Sequence, residues 1–235
     1  MADREPTLID HLEALRRTLL GCCITVAVLF PAAYWASPYL IDALVRWSFP
    51  ENAGKLHYFA PMEVFVVQLK LALVLALGAG YPVNAFLIWK FLLPALYQHE
   101  RRALKYWIIG SAVLFFGGAA FCALAILPLL MDFAAGFAGE TIRPVFGLAH
   151  FVNLAGWLML AFGVMFQAPV AVLLAVRFGL ISSSSLAGKR PYVIIGILAL
   201  AALLTPPDVV SQLILAVPTW LLFELGLLLA RRLET

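Results

Sequence analysis

The stretch VFVVQLKLALVLALGAGYPVNAFLIWKFLLPALYQHERRALK, residues 64–105, joins a long apolar run to a group of basic residues. The apolar part, 64–89, exceeds the roughly 20 residues that a helix needs to cross the hydrocarbon core of a bilayer. The remainder carries four cations, Lys90, Arg101, Arg102 and Lys105. Because Lys and Arg accumulate on the cytoplasmic side of membrane helices, the stretch predicts a transmembrane helix that ends in the cytoplasm.

Five further apolar runs flank this one, and together they predict a single all-α membrane domain over residues 1–235. The runs lack period-2 alternation, which excludes a β-barrel, the other architecture that satisfies backbone polar groups in lipid. Prolines inside the runs bend their helices, so the bundle is expected to be curved. The six predicted transmembrane helices are 18–38, 64–89, 106–131, 149–176, 191–204 and 209–230.

The positive charges sort onto alternate connections between these runs. All but one of the sixteen Lys and Arg residues lie outside the runs. Twelve of them fall in the two terminal tails and in the second and fourth connections, whereas Arg46, Lys55 and Arg143 fall on the opposite side. The positive-inside rule therefore predicts that both termini are cytoplasmic.

The composition is that of a chain whose main solvent is lipid. Hydrophobic residues make up 64% and charged residues 12%, against about 25% charged residues in globular domains. The mean hydropathy is +0.98. The positive-inside bias accounts for the net charge of +3, so no nucleic-acid partner is expected.

Shorter features surround the runs. Leu8, Leu12, Leu15 and Leu19 recur at helical spacing and predict an amphipathic cytoplasmic helix that leads into the first run. A short interfacial helix is expected in the first outer connection. The fifth run has only fourteen residues, about 21 Å, and the two prolines of residues 205–208 predict a tight reversal into the sixth run.

Few residues inside the runs are able to carry chemistry. No catalytic or metal-binding motif is present, and no cofactor is expected. Lys70 lies near the outer end of the second run, where its ammonium group can reach the interface. Glu224 is expected either to reach Arg231 or Arg232 or to pair across helices. Gln167 is expected to hydrogen-bond between helices. The same role is expected of three other amides, Asn84, Asn153 and Gln212.

Carboxylates also lie on the predicted cytoplasmic surface, with Asp10 and Glu13 before the first run and Glu100 after the second. Such groups are able to bind a cationic ligand, and guanidinium suits them best because it forms paired charge-assisted hydrogen bonds. They are equally able to pair with neighbouring cations, Glu13 with Arg16 or Arg17 one turn on. Charge alone favours the pairing with neighbours.

Seven motifs, in order along the six runs, resemble those of the TatC subunit of the twin-arginine protein translocase, and the similarity extends from residue 8 to residue 232. Each motif is weak alone, and their order makes the resemblance specific. The motifs are His11-Leu12 with Leu15-Arg16, Pro61-x-Glu63-x-Phe65, Trp89-x-Phe91-x-x-Pro94-x-Leu96-Tyr97-x-x-Glu100-Arg101-Arg102, Phe166-x-x-Pro169, Lys189-Arg190-Pro191-Tyr192, Leu204-Thr205-Pro206-Pro207-Asp208 and Phe223-Glu224.

The resemblance implies a receptor that binds twin-arginine signal peptides at the cytoplasmic face. It also implies the core of a system that exports folded proteins across an energised bacterial cytoplasmic (inner) membrane. Six helices would form a cupped bundle, and several copies would assemble with single-span TatA-type and TatB-type proteins. Glu100 matches the carboxylate that pairs with the signal-peptide arginines. The other matched positions are its neighbours Arg101 and Arg102, the hairpin acid Asp208, Glu224 in the sixth run, and Pro61, Glu63 and Phe65 in the outer loop.

The sequence departs from the family pattern at two positions. The family has an acid at the position of Ala14, whereas here the acid is Glu13, about 100° around a helix. The family commonly has Glu at the position of Gln167, so a mechanism that needs a titrating carboxyl there is excluded, while hydrogen bonding survives. We expect Glu13 or Asp10 to help Glu100 hold the arginines, with the apolar part of the signal near Gln167.

Three other classes of protein stay open at this point. A secondary transporter driven by protons would normally have a chain of Asp, Glu or His at the midplane, which is not visible here. A scaffold without a cargo site would bind small membrane proteins but no signal peptide. An intramembrane enzyme would need a nucleophile and a base, and the sequence offers no such pair.

Overall fold

The computed structural model describes residues 8–49, 56–92, 101–136, 145–204 and 209–234, and the chain in these ranges is almost entirely helical. No strand is present in them, and His57 and Gly147 form an isolated β-bridge. The prediction of an all-α protein is confirmed. The elements are α1 (Leu8–Ser48), α2 (Glu63–Leu92), α3 (Arg101–Phe121), a π-helical turn (Cys122–Ile126), α4 (Leu127–Ala135), α5 (Leu148–Met165), α6 (Ala168–Arg177), α7 (Ser183–Gly188), α8 (Arg190–Leu204) and α9 (Val209–Glu234).

Helix α1 is longer than any element that the sequence predicted. It has 41 residues, about 60 Å and twice the thickness of the hydrocarbon core. The predicted surface helix, first transmembrane helix and interfacial helix are thus one continuous helix that includes Pro31 and Pro38. Ala33 packs with Ala72 and Ala76 of α2. These small side chains allow the two helices to lie close together along much of their length.

Five segments of the described chain are long and apolar enough to cross a membrane, and each contains or closely matches a predicted run. Helix α8 is shorter, with 15 residues or about 22 Å, as predicted for the fifth run. The chain is therefore a multi-pass membrane protein, and the crossing by α8 stays a prediction. The five segments are His11–Ser48, Glu63–Phe91, Trp107–Ala135, Leu148–Arg177 and Gln212–Arg232.

Two of the prolines coincide with irregular helix geometry. The π-helical turn immediately precedes α4, which has Pro128 in its first turn. Pro169 lies in the first turn of α6, after a break at Phe166 and Gln167 that separates α6 from α5. Proline costs an intrahelical hydrogen bond in a helix interior but not in the first turn, which is where both of these prolines lie. The second break places Gln167 at the N-cap of α6.

Helix α5 supplies much of the core and lies very close to α3. Phe162 and Leu158 are fully buried. A Cβ on Gly118 of α3 would lie 2.6 Å from the carbonyl oxygen of Phe162, and a Cβ on Gly163 would lie 2.7 Å from the ring of Phe115. Because lipid gives little hydrophobic drive for helix association, glycine contacts of this kind are a main source of packing in membrane proteins.

The last two helices pack against each other and against α6. Gln212 of α9 donates from Nε2 to the carbonyl oxygen of Leu198 in α8, at 2.9 Å, which confirms the predicted interhelical role of this amide. Val172 and Val176 of α6 form a buried cluster with Phe223 and Leu227 of α9, together with Ala230. The predicted reversal at 205–208, with Asp208, lies outside the described residues.

Candidate functional site

The basic segments meet at one end of the bundle. The ring of His11 in α1 lies 4.8 Å from that of Phe91 near the end of α2, and the guanidinium of Arg177 at the end of α6 lies 5.7 Å from the ring of Trp107 near the start of α3. We call this region, where α1 and α3 begin and α2 and α6 end, the basic end. Glu100, which precedes α3, lies outside the described residues, as do the side chains of Asp10, Arg101 and Arg102.

Glu13 at the basic end forms an ion pair within its own helix. Its Oε1 accepts a hydrogen bond from Nη2 of Arg17 at 2.6 Å, and the two side chains are 54% and 78% exposed. The structure thus contains one of the neighbour pairings that charge alone favoured. Exposed pairs of this kind contribute roughly 0–1 kcal/mol, so the carboxylate is able to exchange Arg17 for another guanidinium.

An apolar row accompanies these charges on the first turns of α1. Leu12, Leu15 and Leu19 are all exposed, Leu12 to 63% of its surface. This agrees with the predicted amphipathic pattern, and such a row suits the boundary between lipid and water. Ala14, the position at which the family has its acid, is half-buried whereas Glu13 is exposed, so the two positions have different surroundings.

Gln167 lies in a hydrogen-bonded network that joins three helices. Ser111 of α3 donates its hydroxyl to Oε1 of Gln167 at 2.7 Å, and Oγ of Ser111 also lies 2.7 Å from the phenolic oxygen of Tyr81 in α2. The Gln167 amide nitrogen donates to the carbonyl oxygens of Ser111 at 3.1 Å and Gly163 at 3.2 Å. The interhelical role predicted for Gln167 is confirmed.

The network fixes the orientation of the Gln167 amide. Its oxygen faces a hydroxyl and its nitrogen faces two carbonyls, so both ends are satisfied and a flipped amide would lose these bonds. Ser111 is 2% exposed, and a buried network of this kind is stabilising only when its members are satisfied. The sequence did not indicate Ser111 or Tyr81, because isolated Ser and Tyr residues in apolar runs form no pattern.

Glu224 pairs across helices, one of the two arrangements that the sequence left open. Its Oε1 lies 2.7 Å from Nε of Arg190 and its Oε2 lies 2.8 Å from Nη2 of the same residue. This two-point contact connects the first residue of α8 with α9, and it gives geometric specificity that a lysine would not provide. Arg190 belongs to a quoted motif, but its role depended on helix packing that the motif did not contain.

Glu63, the first residue of α2, holds two connections together at the end opposite the basic end. Its Oε2 accepts from the backbone amides of Phe59 at 2.6 Å and Ala60 at 3.2 Å, and its Oε1 accepts from that of Ala149 at 3.1 Å. Ala149 is in the first turn of α5, where a carboxylate also interacts favourably with the helix dipole. The role of Glu63 is therefore to hold the loop against α5.

The neighbours of Glu63 complete this loop. Pro61 is exposed in the turn before α2, and the ring of Phe65 lies 6.5 Å from that of Tyr34 in α1. The amide of His57 donates to the carbonyl oxygen of Phe146 at 3.0 Å, and the amide of Leu148 donates to that of His57 at 2.8 Å. The loop is thus connected to α1, α2 and α5.

Two of the amides that were predicted to hydrogen-bond between helices do not do so in the part of the chain that the structure describes. Within the described chain Asn153 is exposed and makes no hydrogen bond, and Oδ1 of Asn84 is buried without a partner. Both predictions rested on residue type alone. An amide reaches a neighbouring helix only where the packing angle brings a complementary group within range, and the sequence does not contain that angle.

The chain is similar to known proteins over nearly its whole length. Residues 10–218 match the family model of the Sec-independent protein translocase protein TatC. A TatC protein of Escherichia coli K12 is 37% identical over 232 residues, covering 97% of this chain and 89% of the relative. One of Azotobacter chroococcum is 34% identical, covering 99% and 92%.

The fold is also that of a solved structure. A crystal structure of the twin-arginine translocase receptor TatC superimposes with a TM-score of 0.86 at 29% identity, covering 96% of this chain and 100% of the other. A second crystal structure of this receptor, in the detergent DDM, gives 0.85 at 28% identity. The motifs, the fold and these similarities agree, and we conclude that the chain belongs to the TatC family of Sec-independent protein translocase components.

Proposed function

We propose that this chain is the receptor that captures twin-arginine signal peptides at the cytoplasmic face, and that Glu100 makes the main contact with the paired arginines. The observation that carries the proposal is the geometry of the basic end. There, the exposed carboxylate of Glu13 lies on a helix that contacts the end of α2, and Glu100 directly precedes α3 in the sequence. Two carboxylates suit a doubly cationic ligand.

Docking is an exchange of ion-pair partners. Glu13 forms an exposed pair with Arg17, which costs little to break. The arginines of the signal meet Glu100, and Glu13 or Asp10 assists, while Arg101 and Arg102 set the local charge. A pair that is shielded from water by the signal and by lipid is worth more than an exposed one.

The apolar stretch of the signal then packs against the concave side of the bundle near Gln167. The amide is held by Ser111 and Gly163, so in this chain the position provides hydrogen bonding without titration. The loop of Pro61, Glu63 and Phe65 belongs to the end opposite the basic end, where Glu63 holds the connections in place. Asp208 lies between α8 and α9 in the sequence.

We further propose the arrangement of the chain in its membrane. Six helices, including the short α8, cross the bacterial cytoplasmic membrane, and both termini are cytoplasmic. The contacts at the basic end and at the opposite end, where Glu63 lies and which we call the loop end, support this arrangement. They bring predicted inner connections together at one end and predicted outer connections together at the other. As a translocase component the chain works with other Tat proteins, and we propose single-span TatA-type and TatB-type partners and several copies per complex.

A rescue experiment tests the proposed function. A cell that lacks its own TatC receives this chain together with a folded reporter behind a paired-Arg signal, and a matched reporter carries paired Lys. We expect export of the paired-Arg reporter and a strong loss with paired Lys, because an ammonium group does not make the two-point contact with a carboxylate. Equal export of both reporters, or of neither, would contradict the proposal.

A further inference from the structure

An apolar groove between α2 and α5 ends in two polar side chains. Its volume is about 600 Å³, and its lining includes Lys70, Leu73 and Leu77 from α2 and Asn153, Trp157 and Leu160 from α5. Gly156 forms part of its floor, where a Cβ would lie 3.4 Å from Val74. The groove is independent of the Gln167 network and of the basic end.

The groove has a polar end and an apolar end. Lys70 lies seven residues from the start of α2 and Asn153 five residues from the start of α5, about 10 Å and 8 Å along their helices. Leu77 and Leu160 lie seven residues further, about 10 Å deeper in the bundle. The polar end therefore faces the loop end of the bundle, and the apolar end faces the middle of the membrane.

The two polar groups have no partners of their own within the described chain. Lys70 and Asn153 are exposed, and neither forms a hydrogen bond or an ion pair there. A lysine at this depth is costly unless its ammonium reaches the interface or meets an anion. Trp157, 53% exposed, lines the groove one turn deeper than Asn153.

We propose that this groove binds one anionic phospholipid. The phosphodiester lies against the ammonium of Lys70 and the amide of Asn153, and an acyl chain fills the groove along Leu73, Leu77 and Leu160. A lysine near the membrane surface attracts anionic headgroups electrostatically. A partner helix suits the groove less well, because it would span the full membrane thickness and leave the Lys70 charge buried without a counter-ion.

Native mass spectrometry of the delipidated chain in a neutral detergent tests the proposal. Dioleoylphosphatidylglycerol and dioleoylphosphatidylcholine are titrated in parallel against the wild type and Lys70→Ala, Lys70→Arg and Lys90→Ala. Lys90 is an exposed lysine at the opposite end of α2, so its replacement controls for nonspecific attraction of anionic lipid.

The wild type is expected to prefer phosphatidylglycerol. Lys70→Ala should weaken that binding roughly fivefold, the effect of one charge beside an anionic headgroup, whereas Lys70→Arg and Lys90→Ala should retain it. Equal binding of the two lipids, equal loss in Lys70→Ala and Lys90→Ala, or crosslinks from position 157 to the helix of a partner protein in the assembled complex would overturn the proposal.

Discussion

Ser111 is the residue at the centre of the hydrogen-bonded network around Gln167. Its hydroxyl lies within hydrogen-bond distance of both Tyr81 and Gln167, and its carbonyl accepts from the Gln167 amide. Within the described chain, neither the phenolic oxygen of Tyr81 nor Oε1 of Gln167 has another hydrogen-bond partner. The side chain of Ser111 in α3 therefore connects α2 with the N-cap of α6.

Replacing Ser111 by Ala should destabilise the protein by about 1–2 kcal/mol, since the polar atoms of two half-buried side chains, Tyr81 and Gln167, lose a partner. Thermal unfolding in detergent measures the loss, and Ser185→Ala at an exposed position serves as the control. If the two variants unfold at the same temperature, the network does not stabilise the fold.

The pair between Arg190 and Glu224 should be coupled. Glu224→Gln and Arg190→Gln each leave a charged partner without its two-point contact, whereas the double variant removes both charges. The stability loss of the double variant should therefore be smaller than the sum of the two single losses. Additive losses in a double-mutant cycle would mean that the pair contributes nothing specific.

The sequence indicated which interior polar residues form contacts between helices, but it did not indicate their partners. Gln167 and Glu224 stood out because polar and charged groups are rare in lipid-facing helices. Ser111 and Arg190 did not stand out as their partners, because a partner is determined by how two helices pack. The departure at Asn84 and Asn153 has the same cause.

At the level of helices, the contact between α3 and α5 depends on glycines, which have no side chain and so let the two helices lie close together. Gly118→Ala should cost about 1–3 kcal/mol, because its Cβ would meet the backbone oxygen of Phe162 at 2.6 Å and the helices must separate. Gly117→Ala is the matched control, since nothing lies within 4 Å of its added Cβ. Unfolding in detergent distinguishes them, and similar stability of the two variants would contradict this packing.

The extent of α1 illustrates what a hydropathy pattern omits. The leucine spacing and the apolar run were both interpreted correctly as helical, but the sequence suggested three elements where the structure has one. Continuity across Pro31 and Pro38 depends on packing against α2, which is a long-range contact. By contrast, the short α8 followed directly from the length of its apolar run.

For the whole molecule, composition and charge patterning were sufficient to predict an all-α membrane protein, and ordered motifs were sufficient to predict its family. Both predictions are confirmed. The shape of the basic end could not be predicted, because it depends on how four helix ends from distant parts of the chain come together.

Labelling of single cysteines should establish the orientation. In a background without Cys22, Cys23 and Cys122, a membrane-impermeant maleimide should label His57→Cys in intact cells, because the proposed topology places the loop end outside. Ser184→Cys, also at an exposed position, should react only after the membrane is permeabilised. The reverse pattern would invert the proposed topology.

Photocrosslinking of a twin-arginine signal peptide to this chain tests the central claim most directly, with the probe placed beside the arginine pair. The wild type should crosslink, Glu100→Ala should lose the crosslink while still inserting into the membrane, and Glu13→Gln should reduce it less. Undiminished crosslinking in the inserted Glu100→Ala variant would contradict capture of the signal by a carboxylate at the basic end.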